Sequence, residues 1–222
     1  MSRLGARGPL LLVLGLACAR VPSQSAPRPS LPHATPPGLR LPEGPRPTSY
    51  ALALRIDPDQ ATLTGTIDIE LQLPVATSLL WLNATDIDVA SAGLTFAGGT
   101  VPAGPTLGDR DFLGFAFRQP VGPGPAVLRV SYSAALSERE MAGAFRQKEG
   151  QAFYAYTQFE ATDARRAFPC FDEPSFKIPW QLTLDVPDKA LAFANTPQAA
   201  ERALGAGTKR VTFAQTRPLP SY

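Results

Sequence analysis

Between Thr157 and Lys177 the chain reads TQFEATDARRAFPCFDEPSFK, which gathers four acids, two adjacent arginines and a cysteine flanked by proline and phenylalanine. Three kinds of chemistry are conceivable there. Asp172 and Glu173 could form a general acid/base pair, but neighbouring residues on an extended chain point to opposite sides, which is poor geometry for shared proton work. The reading we prefer makes them part of a structural ion network with Asp163, Arg165 and Arg166, because Pro169 and Pro174 bar regular pairing and leave backbone groups in need of side-chain partners. Cys170 reads as a small buried hydrophobe rather than a nucleophile. Glu160, on residues alone, is a solvated acid at the end of a strand.

Metal chemistry finds little support in these residue types. His33 is the single histidine of the 222 residues and lies in a proline-rich stretch, so the chain offers no histidine pair for zinc and, on this reading, no catalytic residue or metal ligand of its own. A net charge of +2, without a basic stripe interleaved with aromatics, gives no reason to expect a nucleic-acid partner.

The elements that must carry the 157–177 segment are strands. Tyr50, Leu52, Leu54 and Ile56 share one face of YALALRI, and Leu63, Ile67, Ile69, Leu71 and Leu73 alternate with polar residues. Further short runs follow at 78–83, 87–89, 94–96, 112–117, 127–133, 153–159, 180–186, 191–195 and 210–216, separated by glycine, proline and aspartate. Only LSEREMAGAF, Leu136 to Phe145, has weak helical character. Many short strands between turns predict an all-β, antiparallel β-sandwich. Its expected core includes Leu52, Leu54, Ile67, Ile69, Leu71, Trp81, Leu128, Val130, Leu182 and Leu184. A hydrophobic fraction of 44% is enough for a sizeable core.

Upstream of that body the composition changes twice. Residues 1–19 read as an export signal: Arg3 and Arg7, the apolar run LLLVLGL, and Ala17-Cys18-Ala19 as a small-residue cleavage site. Leu14-Gly15-Leu16-Ala17-Cys18 also looks like a lipobox, with Cys18 as the lipidated residue, although Gly15 stands where such motifs prefer leucine. Both readings place the protein outside the cytoplasm, in a bacterial periplasm or as a membrane-anchored surface lipoprotein. Residues 20–40 form a tether rich in proline, serine and alanine, and 41–222 form the β domain.

Taken together, Thr157-Gln158-Phe159-Glu160, the run from Asp163 to Pro174, Phe176-Lys177 and Ala194-Asn195-Thr196-Pro197 resemble the aminopeptidase N family of zinc metallopeptidases. The resemblance runs from Leu41-Pro42 to Tyr222 and includes Pro47, Tyr50, Leu52 and the strand holding Gly65. It implies a saddle-like N-terminal β domain beside a thermolysin-like catalytic domain. It also implies that Gln158 and Glu160 bind substrate, the glutamate holding the free α-amino group of a peptide and the glutamine lining the first side-chain pocket. An ammonium group needs acceptors and negative charge in a partly dry cleft, so the residue types suit that role.

The family's H-E-x-x-H helix and its G-x-M-E-N strand are not present in this sequence. Two expectations therefore stand side by side. One is the N-terminal domain of an exported zinc aminopeptidase, inactive alone, with zinc held by a catalytic domain elsewhere. The other is a stand-alone binding module that recognises peptide N-termini or a separately encoded catalytic chain.

Overall fold

The structure is a computed structural model that describes residues 35–107 and 111–222. The leader, Cys18, His33 and most of the tether lie outside the described residues. The strands are β1 (Arg46–Arg55), β2 (Thr62–Leu73), β3 (Thr77–Asn83), β4 (Asp88–Phe96), β5 (Gly99–Pro102), β6 (Gly104–Leu107), β7 (Phe112–Val121), β8 (Gly124–Ala135), β9 (Gly143–Glu149), β10 (Ala152–Gln158), β11 (Trp180–Pro187), β12 (Gln198–Gly205) and β13 (Thr208–Phe213). A single 3-10 turn spans Ala164–Arg166, and no longer helix occurs among the described residues.

Eight strands make one sheet in the order β12-β13-β11-β1-β2-β8-β4-β5. A three-stranded sheet, β3-β7-β6, and a β9–β10 hairpin complete the all-β domain. The alternation in β2 dictates its place: Leu63, Ile67, Ile69, Leu71 and Leu73 are buried, while Thr64, Glu70 and Gln72 face solvent. Leu128 and Val130 on β8 pair opposite Ile69 and Ile67, so both strands bury the same face. Leu80, Trp81 and Leu82 from β3 and Phe115 and Phe117 from β7 belong to the same buried cluster. Gly65 is required by this core: a Cβ there would lie 2.5 Å from the ring of Tyr132, which is paired directly opposite and lies over it.

The all-β, antiparallel-rich fold expected from the sequence is what forms, with one parallel seam between β1 and β11, where Tyr50 lies opposite Trp180. Three sequence expectations need correction. Leu182 and Leu184 are half-buried rather than core residues. They sit toward the β12 end of the large sheet, where cover comes from a small cluster of Val186, Val211 and Phe213 with Ala190 and Ala192. The run 191–195 is not a strand, and it leaves Leu191 and Phe193 largely exposed. LSEREMAGAF is not a helix; Ser137 forms an isolated bridge to Phe145, and Gly143 starts β9.

Candidate functional site

Strand β10 delivers the segment of mixed chemistry. It pairs with β9 from Ala152 opposite Glu149 to Gln158 opposite Gly143. The strand ends at Gln158 after three consecutive exposed residues, Tyr156, Thr157 and Gln158, and beyond it Phe159 is half-buried and Glu160 exposed. Phe159 anchors this bend by meeting Phe168 edge to face at 5.4 Å, and Phe168 in turn packs on Trp180, which stacks on Tyr50 at 4.1 Å. An aromatic chain thus runs from the bend to the large sheet, and Gln158 and Glu160 are carried on its solvent side. The peptide bond from Glu160 to Ala161 is cis.

Among the described residues Glu160 takes no part in the ion pairs of its neighbourhood. Arg166 instead joins Asp163, at 3.0 Å, to Glu140, at 2.8 Å, across the base of the β9–β10 hairpin. Gly143 makes that clamp possible. Its φ of +68° lies in the left-handed region, and a Cβ there would stand 2.6 Å from the Cβ of Arg166.

The second acid pair divides as its adjacent positions require. Asp172 is buried, and Glu173 turns outward to accept a hydrogen bond from the Leu41 backbone N–H at 2.8 Å. Arg165 donates to the Asp172 carboxylate through Nε at 2.9 Å and to the Asp172 carbonyl through Nη2 at 3.2 Å. The Ser221 hydroxyl donates to the other carboxylate oxygen. The Asp172 backbone N–H donates to Asn83 Oδ1 at 3.0 Å, and Asn83 exchanges backbone hydrogen bonds with Cys170. Tyr50 Oη accepts from the Phe171 N–H at 2.9 Å. These bonds satisfy backbone that the prolines keep out of a ladder, so Asp172 and Arg165 brace the turn.

Cys170 is fully buried, and burial, reinforced by the nearby Asp172 charge, pushes its thiol well above the usual range. Such a thiol is protonated and shielded, which excludes it as a nucleophile in this state. The ion network expected from sequence therefore exists, with Arg165 on Asp172 and Arg166 on Asp163. Asn83, Ser221, Tyr50 and Glu140 complete it, and no pattern in the sequence marks them, because they lie far from the segment along the chain.

Gln158 and Glu160 are both exposed. A shallow apolar groove lined by Pro42, Pro45, Pro74, Trp81 and Phe171 contains neither residue. Among the described residues no three His, Cys, Asp or Glu side chains are grouped so as to hold a metal ion.

Residues 46–222 match the family described as the Peptidase M1 N-terminal domain. The chain belongs to that family. Aminopeptidase M1-C of Oryza sativa subsp. japonica is 37% identical over 170 residues, covering 75% of this chain and 19% of the relative. Aminopeptidase N of Acetobacter pasteurianus is 31% identical over 194 residues, covering 82% of this chain and 52% of the relative. Aminopeptidase 2, mitochondrial, of Saccharomyces cerevisiae is 31% identical over 228 residues, covering 97% of this chain and 23% of the relative. The chain thus matches about a fifth of the length of the rice and yeast relatives and about half of the bacterial one. In this M1 N-terminal domain the bend at Phe159 and the brace at Asp172 are neighbouring parts of one irregular excursion, the first open to solvent and the second closed.

Proposed function

We propose that this chain supplies one wall of the substrate cleft of an exported zinc aminopeptidase that removes N-terminal amino acids from peptides. The observation that carries the reading is the paired outward placement of Gln158 and Glu160 about the anchored Phe159, in a chain of the M1 family. Among the described residues Glu160 is a carboxylate left out of the surrounding ion pairs, as suits a group meant for a substrate ammonium. Gln158, two positions back, offers an amide to the first side chain. The partners in this reading are the N-terminus of a peptide and a catalytic domain, in cis or in trans, that holds the zinc and performs the hydrolysis. Export rests on the leader sequence, with Cys18 as the candidate lipid attachment point on the cell envelope.

The test joins the chain to a cognate catalytic domain and measures aminopeptidase kinetics. Losing one charge-assisted partner of a bound ammonium costs about 1.5–3 kcal/mol, so Glu160→Ala should lower kcat/KM about ten- to a hundredfold on peptides with a free N-terminus. Folding and zinc content should be unchanged. Kinetics indifferent to Glu160→Ala would remove the residue from the cleft.

A further inference from the structure

The solvent face of the eight-stranded sheet carries a charged row far from the β10 bend in sequence. Register places Arg55 on β1 opposite Asp185 on β11, Asp185 opposite Arg210 on β13, and Arg210 opposite Arg202 on β12. Three guanidinium groups therefore share one line with a single carboxylate, and that carboxylate is already gripped. Arg210 binds both its oxygens, at 2.6 and 2.7 Å. These hydrogen bonds hold the Asp185 carboxyl below its ordinary range, and the fields of Arg55 and Arg202 add to the effect, which places both arginines near it.

Arg55 and Arg202 are exposed, and among the described residues the ion pairs formed at this end of the sheet are Arg210 with Asp185 and Lys209 with Glu201. Like charges directly opposite on adjacent strands repel, and Arg202 faces Arg210 in this way. The row accordingly holds two positive charges beyond what its carboxylate neutralises. Beside it, Ala53, Thr183, Thr212 and Ala200 form a parallel row of short side chains, a flat bench along the arginines.

We propose that this bench and row dock an acidic, extended polypeptide segment that lies across the strands. The span favours a polypeptide over a single small anion. Arg55 and Arg202 are separated by three strand spacings, about 14 Å, which matches carboxylates four residues apart on an extended chain, about 13 Å. Carboxylates suit guanidinium forks geometrically, and the short side chains leave room for a backbone to approach the sheet.

The experiment uses the 222-residue chain and an acetylated nine-residue peptide alternating glutamate with alanine, with binding followed by calorimetry at low ionic strength. Measurable binding that weakens as salt rises is expected. Arg55→Ala combined with Arg202→Ala should weaken it on the order of tenfold, as two solvent-exposed ion pairs would. Arg118→Ala, an exposed arginine on β7, should leave it unchanged and shows that net charge alone is not being read. Absence of binding at low salt overturns the proposal, as does an affinity indifferent to the double substitution in a protein that still folds. Displacement of the peptide by inorganic phosphate at matched ionic strength, or equal binding of a single-stranded oligonucleotide, overturns it as well, because either shows a site that does not select an acidic peptide.

Discussion

Asp172 is the residue on which the 157–177 excursion turns. Its carboxylate is satisfied by the half-buried Arg165 and the buried Ser221, and its own N–H by the buried Asn83. Removing Asp172 leaves the half-buried Arg165 only its longer contact with the half-exposed Asp111 carboxylate, at 3.6 Å, so the cost falls at the lower end of the about 3–5 kcal/mol typical of breaking a buried pair. Asp172→Ala should therefore lower the melting temperature by roughly 10 °C, whereas the exposed Glu160→Ala should leave it nearly unchanged. Thermal unfolding of both variants checks the division between brace and substrate contact, and equal losses would sink it. Composition alone foretold an ion network, since arginines beside acids and prolines in an irregular run imply one. It could not foretell Asn83 or Ser221, which reach Asp172 from 89 and 49 positions away. Gln158 and Glu160 stand out as candidates only through the resemblance, because a strand-end amide and acid are common on any surface.

At the level of elements, local pattern succeeded where burial is one-sided and failed where pairing alone decides. The alternation of β2 states its own register. Strand β12, QAAERALG, has the composition of a helix and is exposed along its whole length, so it is a strand only through its pairing with β13. LAFAN alternates correctly and still forms no strand. In LSEREMAGAF the apparent helix start is real chemistry, for Ser137 Oγ accepts from the N–H groups of Arg139 and Glu140 as a capping residue would. The turn goes no further because Gly143 enters β9 under Arg166. Gly143→Ala places a methyl group in a left-handed backbone against the Arg166 Cβ and should cost about 1–3 kcal/mol, read as a lower urea midpoint. Adding Arg166→Ala should not restore stability, since alanine keeps the Cβ that is struck. Recovery in the double variant would show that the guanidinium end, not the close approach, sets the penalty.

Across the whole molecule the large sheet is unevenly secured. Strands β2 and β8 are paired on both edges and bury one face fully, whereas β12 is paired on one edge only and exposes both faces. Amide exchange should accordingly be slowest in β2 and β8 and faster by several orders of magnitude in β12, where small openings expose the backbone without global unfolding. Uniform protection across the sheet would contradict that gradient. The parallel seam between β1 and β11 reaches into a different domain of consequence, the order of events at the ribosome. Tyr50 meets Trp180, 130 positions further along the chain, so β1 emerges long before the strand that completes its edge. At a synthesis rate of about 5–20 residues per second that interval is on the order of ten seconds. The nascent chain must spend it with β1 open on one side, and an early strand in that condition is where a holding chaperone would have most to do.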